Sequence, residues 1–321
     1  MKRVVLTGGT GFVGANLARR LLRDGHEVHL FVRRGHAGWR LEGIRGDVVL
    51  HELSLSDEAA MVRVLRRVRP DWIFHLAAHG AYSSQRDVQR MVETNVLGTM
   101  RLLDAAARGG FEAFVHAGSS SEYGVKDHAP SEDEALEPNC PYGVTKAAAT
   151  LYGRQVARRL GLKVHTLRLY AVYGPYEEPS RFVPTLITKG LAGRLPDLVH
   201  PWVGRDFIHV EDAVDAFVRA AAARLAPGSV FNIGTGVQTT IRRAVQVARR
   251  AMELRARPCW GSMPDRCWDT SVWVADIGNA RRRLRWRPAT SFEEGFRATL
   301  NWLRARPSLR AYYRLHQDRL P

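Results

Sequence analysis

Residues 4–22 read VVLTGGTGFVGANLARRLL, and they decide the fold. A short β-branched run ends at Thr7, and its apolar residues do not alternate with polar ones. That is the signature of a strand buried on both faces. Glycines follow at 8, 11 and 14. From Leu17 the apolar positions 17, 18, 21 and 22 fall at helical spacing, with Gly25 as a stop. Strand, glycine turn and helix in that order make a phosphate cradle. Glycine lets backbone approach a pyrophosphate, and the helix N-terminus offers free N–H groups and a positive dipole end. A glycine triplet alone is weak evidence. Here HEVHLFV (26–32) supplies the second strand that a βαβ dinucleotide unit requires.

The same rhythm continues outward. DEAAMVRVLRRV (57–68) reads as a helix and DWIFHLAA (71–78) as a strand. VQRMVETNVLGTMRLLDAAARGG (88–110) reads as one long helix, and AFVHAG (113–118) as a strand. YGVTKAAATLYGRQVARRLG (142–161) and KVHTLRLYAVYG (163–174) close the series. Alternating helices and apolar strands predict an α/β fold, a Rossmann-type doubly wound parallel sheet. After about residue 175 the prolines at 175, 179, 184, 196 and 201 break the rhythm. Residues 1–175 are therefore expected to form the nucleotide-binding domain. Residues 176–321 are expected to form mainly a smaller mixed C-terminal lobe for substrate, with some segments returning to the sheet. The basic, aromatic stretch RPSLRAYYRLHQDRLP (306–321) fits a docking tail and a frayed end equally well.

Composition narrows the class. The chain has 321 residues and a formal charge of +16. Its arginines are spread over helices and no nucleic-acid motif accompanies them, so a solvated basic surface is expected and a nucleic-acid partner is not. Such a surface also attracts polyanionic small ligands. No apolar run reaches the roughly 18 residues that span a bilayer. The basic lead at the N-terminus is too short and Gly-rich for a signal peptide, and a cytoplasmic protein without a membrane partner is expected. Cys140, Cys259 and Cys267 lack metal-ligand spacing, and no metal is expected.

The end of the second strand carries Val32, Arg33 and Arg34. A carboxylate there would take the ribose 2′-OH of NAD. Two guanidiniums suit a 2′-phosphate instead, so NADP(H) is the expected cofactor and NAD(H) the alternative. Further on, PYGVTK places Tyr142 and Lys146 one helical turn apart on one face. An ammonium beside a phenol is expected to lower the phenol's pKa from about 10 toward neutrality. A phenol tuned in that way exchanges a proton with a sugar oxygen during hydride transfer. The loop GSSSEYG (118–124) offers Ser119, Ser120 and Ser121 as a second hydroxyl for the reacting carbonyl.

Together these pieces resemble the extended short-chain dehydrogenase/reductases that act on nucleotide-diphosphate sugars. The resemblance runs through TGGTGFVG, HLAA (75–78), TNVLGT (94–99), GSSSEYG, PYGVTK, LRLYAVYGP (167–175), RDFIHVEDAVDA (205–216) and 274–296. It implies Ser119, Tyr142 and Lys146 as the catalytic set. It implies cofactor contacts from Gly8, Thr10, Gly11, Phe12, Val13, Arg33, Arg34, Leu76, Ala77, Ala78, Asn95, Tyr142 and Lys146. Asn95 would also hold the active-site helix. Substrate contacts would come from Ser84, Ser120, Ser121, Arg205 and Arg266, with Arg205 on the diphosphate or ribose and Arg266 on the diphosphate. A homodimer built on helices 88–110 and 142–161 is implied as well.

Three positions depart from the family pattern. Ser121 stands where the 4,6-dehydratases carry an acid, and Glu122, one residue on, would face the other way on an extended segment. Ala171 replaces a frequent substrate-contacting Asn, and Ser54 a frequent Asp. The cationic pair and GSSSEYG together look most like the NADPH-dependent 4-keto-6-deoxysugar reductases. A 4-epimerase that retains its cofactor is the alternative, with a 4,6-dehydratase behind it. The nucleotide and the sugar are not legible.

Overall fold

The computed structural model describes residues 1–82, 84–264 and 269–318. The expected rhythm is present. β1 (Arg3–Thr7), α1 (Phe12–Arg23), β2 (Glu27–Val32), β3 (Val49–Glu52), α2 (Glu58–Val68) and β4 (Trp72–His75) come first. Then follow α3 (Val88–Met91), a π-helical segment (Val92–Leu97), α4 (Gly98–Gly109), β5 (Ala113–Ser119), α5 (Pro141–Leu160) and β6 (Val164–Leu169). Beyond these lie β7 (Ala171–Tyr173), α6 (Phe182–Gly190), β8 (Gly204–Arg205), β9 (Phe207–His209), α7 (Val210–Ala222) and β10 (Val230–Ile233). The last elements are β11 (Thr239–Thr240), α8 (Ile241–Met252), α9 (Gly278–Arg283), α10 (Phe292–Arg304) and α11 (Pro307–His316).

The main sheet has seven parallel strands in the order β10-β6-β5-β4-β1-β2-β3. Alternate residues of each strand serve opposite faces. Val4, Leu6, Phe74 and Val115 pack with Leu17, Leu21, Val214, Phe217 and Trp286 on one side. Val5, Ile73, Phe114 and Val164 pack with Met61, Leu65, Leu102 and Val156 on the other. Phe74 and Phe114 are fully buried, each contributing about 1.5–3 kcal/mol of transfer free energy. The chain leaves β1 toward β2 and β3, then crosses to β4 on its other side. The crevice at this reversal, at the carboxyl ends of β1 and β4, is where such sheets bind ligands.

β10 pairs with β6 and α7 packs on the sheet, so the chain beyond 175 returns to the main layer. A second apolar cluster joins Tyr173, Leu186, Ile187, Phe207, Val245, Phe296, Leu300 and Tyr313. The stretch after 306 is a docked helix: Tyr313 of α11 is buried, and its hydroxyl donates to the Glu177 carbonyl at 2.7 Å. That contact helps to fasten the segment 174–181. Asn16 of α1 donates to the Pro175 carbonyl at 2.9 Å, and Arg40 to the Tyr176 carbonyl at 2.8 Å.

Candidate active site

The first turn is built as a cradle. Gly8 has φ +74°, and a Cβ there would lie 2.5 Å from the Leu76 carbonyl carbon. A Cβ on Gly14 would lie 2.2 Å from the Gly8 oxygen. Only glycine satisfies both approaches. Gly11 is the N-cap of α1 without a side-chain cap, and the first turn carries no acid. The leading N–H groups are therefore left for an anion. Thr10, Phe12 and Val13 line this turn, all partly buried. The cradle fits a dinucleotide pyrophosphate.

Arg33 and Arg34 leave the end of β2 into solvent, Arg34 with 96% of its side chain exposed. Glu52, at the end of β3, stands 4.0 Å from the Arg34 guanidinium. It is the neighbouring strand, not β2, that brings an acid here, and the sequence reading did not weigh it.

Behind the cradle, hydrogen bonds fix the loop after β4. Thr99 Oγ1 donates to the Asn95 carbonyl at 2.6 Å and so receives the His75 Nε2 proton at 2.8 Å. His75 Nδ1 then accepts from Thr7 Oγ1 at 2.6 Å, and Thr7 Oγ1 accepts from Ala77 N–H at 3.2 Å. Burial holds the His75 pKa down at about 3, so the ring stays neutral. Leu76 and Ala77 are pinned in this way against β1, with Ala78 exposed beside them. Asn95 lies in the π-helical segment, whose widened turn interrupts the single helix expected over 88–110. Its amide accepts from His79 N–H, and donates to the His79 carbonyl at 2.8 Å and to Thr145 of α5 at 2.9 Å. One side chain thus ties the β4 loop to the helix of Tyr142.

Ser119 ends β5 and caps the 3₁₀ turn Ser120–Glu122. Its Oγ accepts from Ser121 N–H at 3.1 Å, while Glu122 reaches back to Ser119 N–H at 2.8 Å. Glu122 is fully buried and also takes Arg168 Nε at 2.8 Å and the Thr150 hydroxyl at 3.1 Å. It is turned into the protein. The turn abuts α5, because a Cβ on Gly143 would meet the Ser121 oxygen at 2.4 Å. Cys140 N-caps α5, its Sγ accepting from Gly143 N–H at 3.4 Å. The Ser119 hydroxyl stands on the side of Tyr142 where it favours the ionised phenol.

One expectation is corrected here. The Tyr142 pKa is pushed up to about 12, not down. Burial is the largest cause; the Ser119 hydroxyl and the Arg181 charge oppose it, while Glu122 adds to it. The Lys146 ammonium reaches His116 Nε2 on β5 at 2.9 Å. Burial lowers its pKa to about 8, against the opposing pull of Glu122.

The expected substrate residues are spread over several elements. Ser120 is buried, Ser121 half-buried and Ser84 exposed. Arg205, on β8, is paired with Asp269 at 2.6 Å and lies 5.8 Å from the Trp273 ring centre. Arg266 lies outside the described residues. Sequence reading missed Arg181, the N-cap of α6, which acts on Tyr142 and stands 5.9 Å from the Tyr82 ring centre. A single arginine in a proline-broken stretch carries no periodic signal. Among the described residues no group of three or more His, Cys, Asp or Glu is placed to hold a metal, and no helix is long and apolar enough to cross a membrane.

Residues 4–234 match the model of the NAD dependent epimerase/dehydratase family. The chain is 32% identical to UDP-glucose 4-epimerase of Mycolicibacterium smegmatis, covering 94% of this chain and 98% of that one. It is 31% identical to dTDP-glucose 4,6-dehydratase of Streptomyces griseus, covering 93% of each. The solved structure of MoeE5 with UDP-glucuronic acid and NAD superposes with a TM-score of 0.83 at 33% identity, over 94% of this chain and 99% of that one. With the glycine cradle, the Tyr142–Lys146 helix and these likenesses, the chain belongs to the NAD-dependent epimerase/dehydratase family of extended short-chain dehydrogenase/reductases.

Proposed function

We propose that this protein reduces a 4-keto-6-deoxy nucleotide-diphosphate sugar with NADPH, in the cytoplasm. The observation that carries the reading is the solvent-facing Arg33–Arg34 pair at the end of β2, where NAD enzymes place a carboxylate. With its pyrophosphate held by the Gly8–Gly14 cradle, NADPH would supply the hydride from its nicotinamide. Tyr142, protonated at neutral pH because burial holds its pKa near 12, gives its proton to the C4 carbonyl oxygen. The Ser119 hydroxyl donates to the same oxygen as charge develops. Lys146, cationic below its pKa of about 8, stabilises the phenolate left behind. A protonated phenol suits the reductive direction. Elimination of water lacks its acid, since Ser121 holds that position and Glu122 is locked on Arg168.

We take residues 1–175 as the cofactor domain and 176–321 as mainly the substrate lobe, with Arg205 and Arg266 on the diphosphate. We infer a homodimer from exposed apolar residues on adjoining elements: Val88 of α3, Val92 of the π-helical segment, and Val144 and Leu151 of α5.

The test is loss of absorbance at the reduced-nicotinamide band. Adding a 4-keto-6-deoxy nucleotide sugar should oxidise NADPH stoichiometrically, and Tyr142→Phe should abolish turnover while cofactor binding persists. Ser119→Ala should cost on the order of 10²-fold. The second reading, a 4-epimerase, is favoured by the epimerase relative and the NAD-bound neighbour. Redox-neutral interconversion of two nucleotide hexoses would replace the reductase reading with it.

A further inference from the structure

We propose that His116 is a positioning residue for Lys146: from β5, beneath α5, its Nε2 accepts the lysine ammonium and keeps it extended along the inner face of the helix and charged. The distance is 2.9 Å, and both side chains are about 2% exposed. Among the described residues no other hydrogen-bond partner of that ammonium is found, so its remaining N–H groups stay available to the reacting groups.

The protons can be placed. Lys146 has only donors, so His116 Nε2 must present its lone pair and the ring proton must sit on Nδ1. Nδ1 is buried and has no partner. A buried orphan donor is costly, and His116 bears that cost at Nδ1 while its Nε2 takes the ammonium. His75, its cross-strand partner on β4, stands 5.4 Å away between ring centres but offers no relief. Both His75 nitrogens are already used, on Thr7 and Thr99.

The charges facing Lys146 are few. Glu122, from the turn after β5, favours the ammonium; burial opposes it. His75 and His116 are neutral, both held far below the ordinary histidine range by burial and by the ammonium itself. Tyr142, on the same helix, is a neutral phenol in this state. Removing the one acceptor in direct contact therefore weakens the charged form with nothing to replace it. A hydrogen bond to an ionised group is worth one to two pH units of titration, as an order of magnitude.

The inference rests on the Tyr142–Lys146 reading of the site and not on which sugar reaction follows. Two measurements test it without any sugar. In the unaltered protein, two-bond ¹⁵N–¹H spectra of labelled histidine should show His116 as the Nδ1–H tautomer; an Nε2–H tautomer at neutral pH overturns the proposal. Competitive acetylation against pH, read on the Lys146 peptide by mass spectrometry, should give a midpoint one to two units lower in His116→Phe. His116→Gln, which restores an acceptor, should recover most of that shift. An unchanged midpoint in folded His116→Phe overturns the proposal. If that variant does not fold, the tautomer decides. Once a substrate is in hand, the alkaline limb of kcat against pH should follow the acetylation midpoints. A failed NADPH assay with shifted midpoints would sink the reductase reading and leave this one standing.

Discussion

Replacing Glu122 by glutamine separates a structural carboxylate from a catalytic one. In the native protein Glu122 is 0% exposed and its Oε2 takes Arg168 Nε at 2.8 Å, with the arginine side chain 1% exposed. Glutamine keeps an oxygen for Ser119 N–H and Thr150, but turns an NH₂ toward the guanidinium, donor against donor. Arg168 retains only the Tyr123 oxygen at 2.7 Å and the Glu132 carbonyl at 3.2 Å. A buried charge stripped of its partner costs about 3–5 kcal/mol. Two surviving dipolar contacts place this case near 3. At about 1.5 °C per kcal/mol for a chain of this size, Tm should fall on the order of 4–5 °C. Turnover measured well below that Tm should stay within a few-fold, because Ser119 N–H is still capped. The leucine–methionine double variant at 122 and 168 should regain at least about 2 kcal/mol of the single-variant losses in a cycle. An unchanged Tm with turnover abolished would refute the reasoning and return Glu122 to the sugar as an acid.

Three further outcomes follow from the same geometry. The Lys146 pKa falls from 10.5 to about 8 on folding, so between those values the unfolded chain binds more protons and stability rises with pH. Below pH 8 the full penalty stands, about 3 kcal/mol. Lys146→Met should therefore be inactive yet more stable at pH 7 by on the order of 2–3 kcal/mol in urea, a gain that fades by about pH 10. Arg33→Ala with Arg34→Ala should weaken NADPH by roughly ten-fold or more and leave NADH unchanged in fluorescence titrations, the figure being discounted for exposed groups. Leu151→Glu, at a position 53% exposed on α5, should shift the mass in solution from dimer to monomer; a parent chain already monomeric at micromolar concentration ends that reading.

What could be read from sequence was local. The strand–glycine–helix order of residues 4–22 needs only neighbours to interpret it, and the buried pattern of β1, β4 and β5 follows from runs without polar interruption. The Tyr142–Lys146 spacing needs one helical turn. What escaped depends on partners far along the chain. The upward shift of Tyr142 comes from how tertiary packing buries it, and the lysine expected beside it is drawn to His116, 30 positions earlier. Glu122 looked like a stray carboxyl until Arg168 appeared opposite it. The π-helical segment at 92–97 preserves an apolar helical pattern, so no periodicity betrays the widened turn that aims Asn95. Arg181 and the docking of Tyr313 sit in stretches whose meaning is set by what they touch.

The fastening of residues 174–181 also sets an order in time. Six strands of the main sheet lie within the first 169 residues and can pair as they leave the ribosome. The loop is held partly by Tyr313, 136 positions beyond the Glu177 carbonyl it binds. At about 5–20 residues per second, translation of that interval takes roughly 7 to 27 seconds. During it the nascent chain owns a glycine cradle and a Tyr142 helix, while the segment 174–181 still lacks its last clasp. The glycine cradle can therefore be complete before the segment beside it is fully fastened in the life of each molecule.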